Sequence, residues 1–312
     1  MNPEILLGVE FGKGVVQRLL GQGTMGAVYL AYQAQHQRQV AVKVFLPASV
    51  LEQPEHKEFL ARLEQEIVQA RSLTHPHILA VLDHNTQAEL PYLVSPYIAG
   101  ENLQNMLDRS GALPFTQIQR YLEQLATALD YAHGRGALHR DVKAANILIA
   151  PEDHLLLCDF GLAGLTTEKN FAQVRRAVPG MLNYIAPEYV MGQSIDQRAD
   201  LYALGVVLYQ MVTGMTPFTG TSLGEVAMQH VKAVPPPPGQ LRADLPQAAE
   251  QVMLRALAKR PSERYSQAQD LASAFRLALE AAHLLPDENQ STNALAQLAE
   301  LASDTAKIPR IQ

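Results

Sequence analysis

Apolar residues follow two rhythms along this 312-residue chain. Near the start, "VVQRLLGQG" (15–23), "AVYLAYQAQ" (27–35) and "RQVAVKVFL" (38–46) are β-branched-rich runs flanking glycines, and they predict an antiparallel meander. From about residue 55 the spacing becomes helical: "EHKEFLARLEQEIVQARSL" sets Phe59, Leu63, Ile67 and Ala70 on one face. Glu66 lies beside that stripe, where a carboxylate can point inward. Two more runs, "HILAVLDHN" (77–85) and "LPYLVSPYIAG" (90–100), predict strands that close a small first lobe, with Gly100 as a flexible exit near a boundary at 95–101. Beyond it, Ile118, Tyr121, Leu122, Leu125, Leu129 and Ala132 predict a long helix stopped by Gly134 and Gly136. "LYALGVVLYQMV" (201–212) reads as a buried helix, since it falls short of the ~20 residues that cross a bilayer. "VPPPPGQ" (234–240) predicts a rigid extended connection. After the polar break "PDENQST", leucines at 295, 298 and 301 mark either a docking helix or a frayed end. The pattern is α+β: a small antiparallel sheet with one main helix, then a larger, mainly helical part.

Composition narrows the class. The chain is 47% hydrophobic and 18% charged, an ordinary folding composition, and its length suits about two folding units at ~150 residues each. A net charge of −6 lacks the basic footprint of a nucleic-acid binder, so no nucleic-acid partner is expected. Cys158 is the single cysteine, which excludes an intramolecular disulfide, and no Cys/His cluster has zinc-ligand spacing. The N-terminus carries acidic residues where a secretory signal has basic ones. The expected compartment is the cytoplasm, with no transmembrane segment.

The chemistry begins at "LGQGTMGAV" (20–28), because G-x-G-x-x-G serves two unrelated nucleotide sites. A dinucleotide site needs a helix opening at the last glycine and an acidic residue about 20 positions on. Here strand-forming residues follow Gly26, and seventeen positions on stands Lys43. Downstream come "LHRDVKAANILI" (138–149), then "CDFGLAG" with Asp159 eighteen residues past Asp141, then Ala-Pro-Glu at 186–188. Taken singly, Asp141, Asn146 and Asp159 suit turns or caps, and Lys43 suits a surface strand. Their joint order is what carries information.

In that order the chain resembles the eukaryotic-like serine/threonine protein kinases of bacteria, over about residues 14–276. The matching motifs are Gly21, Gly23, Gly26 and Val28; "VAVK" ending at Lys43; His139 to Asn146; Asp159 to Gly161; and 186–188. The resemblance implies a two-lobed kinase fold, with an N-lobe at about 14–97, a C-lobe at about 98–276 and a tail at 277–312. It implies that Asp141 orients the substrate hydroxyl and takes its proton, that Lys143 steadies the γ-phosphate, and that Asn146 and Asp159 bind magnesium or manganese. Lys43 would hold the α and β phosphates of ATP, itself held by Glu66, with Glu64 as the alternative partner. The ATP site would comprise Leu20, Gly21, Gln22, Gly23, Thr24, Met25, Gly26, Ala27, Val28, Ala41, Lys43, Ser95, Ile98 and Leu148. Serine at 95 is small and predicts a pocket that extends behind the adenine. Asp200 would brace the catalytic loop from within, and Arg264 would pair with Glu188. The implied partners are ATP and a protein with a Ser or Thr hydroxyl. A nucleotide-binding pseudokinase and a small-molecule phosphotransferase are the competing classes.

One stretch departs from the family pattern. Arg140 commonly meets a phosphothreonine in the middle of the activation segment, where this chain has Gln173, Val174, Arg175 and Arg176. Its threonines, Thr166 and Thr167, come early, and Met181 stands where a threonine is usual. The expectation is a segment balanced by Glu168, a bound anion or an acidic partner rather than by its own phosphorylation.

Overall fold

The computed structural model describes residues 3–23, 26–45, 53–162 and 182–285. Strands β1 (Glu10–Phe11), β2 (Gly14–Gly23), β3 (Gly26–Gln33), β4 (Arg38–Phe45), β5 (Asp83–Asn85) and β6 (Tyr92–Pro96) form one sheet, ordered β1-β2-β3-β4-β6-β5 with antiparallel neighbours. In β4 the side chains of Val40, Val42 and Val44 point into the sheet core with Ala27, Tyr29 and Val94, which leaves Ala41, Lys43 and Phe45 on the opposite face. Against that opposite face packs α1 (Gln53–Ser72), through Leu63 and Ile67 on Phe45 and Leu93. Each such buried aliphatic side chain contributes roughly 1.5–3 kcal/mol, so the helix is fixed by its stripe rather than by intrinsic propensity.

The expected strand over 77–85 is much shorter, and its first half serves another purpose. Leu79 donates its amide to the carbonyl of Leu157, and Leu157 donates back to His77, at 3.0 Å each. The stretch after α1 therefore docks on β9 (His154–Leu157) of the second sheet, ordered β7-β8-β9 with β7 (Glu101–Asn102) and β8 (Ile147–Ala150). Asp83–Asn85 form the remaining ladder with β6, and Leu82 donates its amide to the Val94 carbonyl at 2.8 Å.

The second lobe is built on α2 (Leu103–Ser110), α3 (Phe115–His133), α4 (Pro187–Val190), α5 (Gln197–Thr213), α6 (Leu223–Lys232), α7 (Gln247–Ala256) and α8 (Ala268–Glu280). Every residue from Leu201 to Val212 is buried, which makes α5 the axis of this lobe. Asp196 caps its start by accepting from the Arg198 amide, and Gly214 ends it in a left-handed turn. The proline stretch is extended only in part, since Pro238–Gln240 close a 3-10 turn. Helix α8 runs past the expected domain boundary at 276, because Ala278 and Leu279 are buried in the core it shares with α3. The tail from residue 286 lies outside the described residues.

Candidate active site

The cleft-facing residues follow from register. Val28 pairs with Lys43, Leu30 with Ala41, and Ala41 with Ser95, and opposed residues in an antiparallel ladder share a face. Val28, Ala41, Lys43 and Ser95 therefore line one surface. Gly26 is required where it stands: its φ is +150°, and a Cβ there would meet the Val44 carbonyl oxygen at 1.9 Å. Ala27 was expected among the ATP contacts, but its side chain is buried in the sheet core, so only its backbone faces the turn. Leu20, Ile98 and Leu148 are half-buried, Gly21, Gln22 and Gly23 are exposed, and Thr24 and Met25 lie outside the described residues. Behind Ser95 lies a cavity of about 30 Å³, walled by Ala70, Ile78, Leu93, Phe160 and Leu162.

The catalytic loop is clamped by hydrogen bonds. Lys143 Nζ stands 2.6 Å from Asp141 Oδ2, and Asn146 Nδ2 donates to the same oxygen and to the Asp141 carbonyl at 2.9 Å each. With its amide nitrogen committed to Asp141, Asn146 presents Oδ1 elsewhere. That oxygen and the Asp159 carboxylate make a hard oxygen set, which suits a divalent cation completed by phosphate and water. Among the described residues, no group of three or more His, Cys, Asp or Glu could hold a metal ion by itself.

Beneath the loop, Asp200 accepts the backbone amides of His139 and Arg140 and meets His133 Nε2, all at 2.8 Å. Burial pushes the Asp200 carboxyl up, but the hydrogen bond and charge of His133, with the His139 contacts, outweigh it and hold the group below its ordinary value. His139 is fully buried, which drives its imidazole toward the neutral form. Its Nδ1 accepts from the Asp141 amide at 3.2 Å, so Nε2 carries the proton donated to the Cys158 carbonyl at 2.9 Å. The half-buried Cys158 thiol donates to the Asn146 carbonyl at 3.3 Å and is pushed above its ordinary range, by desolvation first and Asp159 second.

The expected partnership between Glu66 and Lys43 is not the one formed. Lys43 Nζ pairs with Asp159 Oδ2 at 2.8 Å, whereas Glu66 Oε1 pairs with Arg140 Nη1 at 2.8 Å. Glu66 does reach inward, to the point that a Cβ on Gly161 would sit 2.2 Å from its Oε2. Glu64 is excluded as the partner by its own contacts, to His84 Nε2 at 3.2 Å and to the Thr86 hydroxyl. The physical reason is proximity. Asp159, with φ of +65°, turns its carboxylate onto Lys43, and Arg140, with φ of +66°, is aimed at α1. Burial opposes ionisation of Asp159, but the charge and hydrogen bond of Lys43 outweigh it and hold its carboxyl below the usual range.

Farther down, Arg264 grips Glu188 with two bonds of 2.7 and 2.8 Å, with side chains 0% and 3% exposed. Arg264 also donates to the carbonyls of Ala258, Arg198 and Lys259. Thr166, Thr167, Glu168, Gln173, Val174, Arg175, Arg176 and Met181 lie outside the described residues. Sequence reasoning missed the Glu66–Arg140 pair, the His133–Asp200 bond and a polar group made by buried Tyr184 and Gln210 with half-buried Gln104. No local pattern signals any of them, because each joins residues at least 26 positions apart.

A mostly antiparallel sheet with one packed helix, joined to a helical lobe that presents Asp141, Asn146 and Asp159 opposite Lys43, defines a two-lobed protein kinase fold. The chain belongs to the protein kinase domain family, which matches residues 15–275. It is similar to serine/threonine-protein kinase PknH of Mycobacterium bovis, 36% identical over 289 residues that make up 93% of this chain and 47% of that protein. PknB of Mycobacterium leprae is 37% identical over 257 residues, 81% of this chain and 41% of its own length. PknD of Mycobacterium tuberculosis is 37% identical over 274 residues, 88% and 40% of the two lengths. The chain spans less than half the length of these relatives. The family uses ATP and a divalent metal. Among the described residues, no helix is long and apolar enough to cross a membrane.

Proposed function

We propose that this chain transfers the γ-phosphate of ATP to Ser or Thr hydroxyls of proteins, with residues 14–276 as the catalytic unit. The observation that carries the reading is Asp141 gripped by both Lys143 and Asn146, in a fold whose Lys43 and Asp159 meet across the cleft. In the reaction, the substrate oxygen bonds to the γ-phosphorus as the bond to the β–γ bridging oxygen breaks, and Asp141 takes the hydroxyl proton. Lys143 counters charge on the transferring group, and Lys43 holds the α and β phosphates. Magnesium or manganese, held by Asp159 and Asn146, would neutralise the phosphate oxygens. With one cysteine and a need for ATP, the cytoplasm is the natural compartment.

The Glu66–Arg140 pair supports regulation by an anion. Each cation now has one carboxylate, so Glu66 can turn to Lys43 only if Arg140 finds another negative partner and Asp159 another cation. A bound oxyanion or an acidic protein segment at Arg140 would meet the first need, and the divalent metal the second.

Radiolabel transfer from magnesium-ATP or manganese-ATP to a basic test protein decides the main reading. Asp141→Asn and Lys43→Ala should each lose several decades of activity with the fold kept, on the order of 10²–10⁴ or more for a positioned proton acceptor. Undiminished transfer in either variant sinks the mechanism. Nucleotide binding without transfer by the wild type would mark a pseudokinase, and labelling of small alcohols alone a small-molecule phosphotransferase. Phosphatase treatment, or a Thr166→Ala, Thr167→Ala double variant, should leave most activity; its loss would make phosphorylation the switch.

A further inference from the structure

Three half-buried histidines gather where the chain leaves α1 and meets β9 of the second lobe. His75 and His77 lie in the stretch after α1, and His154 opens β9. Two of them bond across the joint in opposite directions: His77 Nδ1 lies 3.0 Å from the Leu155 carbonyl oxygen, and His154 Nε2 lies 2.9 Å from the Pro76 carbonyl oxygen. A carbonyl only accepts, so each ring carries its proton on that nitrogen, and His77 Nε2 and His154 Nδ1 are the bare nitrogens of the neutral rings. The two rings stand 4.5 Å apart, centroid to centroid. His75 Nδ1 accepts the His77 amide at 3.1 Å, and its ring packs 5.0 Å from that of Tyr131, whose hydroxyl accepts the Thr74 amide at 3.1 Å. These side chains frame the backbone bonds that join Leu157 to His77 and Leu79.

In these roles all three rings are neutral. A proton added to His75 must go to Nδ1, which ends its bond from the His77 amide. A proton added to both His77 and His154 keeps their carbonyl bonds but sets two like charges face to face. Around them, α3 brings Tyr131 and Arg135, whose guanidinium carbon lies 3.8 Å from the Tyr131 ring centre, the last turn of α1 carries Arg71, and the turn before β9 brings Glu152 and Asp153. The Asp153 carboxylate is taken by Tyr121, at 2.8 Å, and by Arg120, while Glu152 is exposed. Among these groups no buried carboxylate is left to balance an added proton. His75 and His77 are accordingly held below the ordinary histidine value of 6.5. Burial is the main cause in both; the His77 charge adds to it at His75, and at His77 the Leu155 bond opposes it while the His154 charge adds to it. An opened joint therefore takes up protons more readily than a closed one, so closure is fully supported above about pH 6.5 and loses support as the pH falls below it.

We propose that His77 and His154, with His75, form an acid-sensitive clasp between the lobes that couples pH to phosphoryl transfer. The inference rests on the function proposed above and adds a form of regulation to it. Two residues past the end of β9 stands Asp159, the partner of Lys43, and the stretch after α1 sets Ile78 against the cavity behind Ser95. Protonation that opens the clasp loosens the strand that places Asp159 and the exit of the helix that carries Glu66, so the groups that align the phosphates lose their positions.

The test compares the wild type with a His77→Asn, His154→Gln double variant, whose amide groups can still donate to the two carbonyls but never charge. For each protein kcat is measured with saturating magnesium-ATP between pH 7.5 and 5.5 and divided by its own value at 7.5, so that titration of the nucleotide and of Asp141 is common to both. At pH 5.5 the wild-type fraction should lie about threefold or more below that of the double variant, with His154→Gln alone between them. Circular dichroism melts over the same range need no activity, and the melting temperature of the wild type should drop by about 2–4 °C more than that of the double variant. Superimposable pH profiles overturn the proposal, and so does an equal drop in melting temperature. Should the double variant fail to fold at pH 7.5, His154→Gln alone carries both comparisons with the same expected direction. A wild-type chain without transfer activity would count against the kinase reading, while the melts would still decide whether the clasp responds to acid.

Discussion

Replacing Arg140 with methionine removes one guanidinium group and leaves Glu66 without its cation. The two side chains are 29% and 19% exposed and meet at 2.8 Å. Charges about 4 Å apart attract by roughly 4 kcal/mol at an effective dielectric of about 20, and desolvation offsets much of that. Charge-assisted hydrogen bonds net about 1.5–3 kcal/mol, and partial exposure puts this pair at the lower end, near 1–2 kcal/mol. Arg140→Met and Glu66→Gln should each destabilise the nucleotide-free chain by about that amount, and the double variant by less than their sum, with a coupling of about 1 kcal/mol. The corresponding cycle between Glu66 and Lys43 should give coupling within about 0.3 kcal/mol of zero, since Lys43 is spent on Asp159. Urea unfolding followed by circular dichroism measures both cycles. For a chain of this size each kcal/mol also shifts the melting temperature by about 2–4 °C. A Glu66–Lys43 coupling larger than the Glu66–Arg140 coupling would refute the partner exchange.

Arg264→Met should destabilise by about 3–5 kcal/mol, because it strands the buried Glu188 carboxylate; a urea midpoint within error of wild type would remove the pair from the fold's main supports. Ser95→Phe should fill the rear cavity and weaken binding of ATP analogues with a bulky group on the adenine amine by about tenfold or more, with ATP itself spared; equal analogue affinities in titration calorimetry would place the cavity out of reach. His230 is fully buried beside Tyr202, and burial, with the Lys259 charge, lowers its pKa to about 3. Between pH 6.5 and 3 the unfolded chain therefore binds the extra proton, so this contribution is whole above 6.5 and shrinks as the pH falls. It amounts to roughly 2–3 kcal/mol between pH 7 and 4.5, a slope that His230→Gln should flatten; equal pH slopes in the two proteins would exclude it.

The sequence by itself determined the elements and their order. Alternation in 38–46 and the stripe through Leu63 and Ile67 are consequences of strand and helix geometry, which any chain with that spacing obeys, and both were realised. Asp141, Asn146, Lys43 and Asp159 were singled out by the joint order of their motifs, and the fold brings Lys43 to Asp159 and Asn146 to Asp141. Glu66 was correctly read as inward, since its place beside an apolar stripe is a local fact. Its partner was decided by the tertiary structure alone. Arg140 is 74 positions away, and the choice between it and Lys43 turns on a few ångströms set by how α1 packs and how Asp159 turns. Residues 77–79 left the expected strand for the same kind of reason, because β9 of the other lobe offered them backbone partners. Gln104, Tyr184 and Gln210 are ordinary polar residues in sequence, and only the meeting of two helices and a turn makes them one hydrogen-bonded group. Local periodicity carries propensity and facing; the pairing of charges and buried polar atoms is short-ranged in space and blind to sequence distance, so it exists only once the chain has folded.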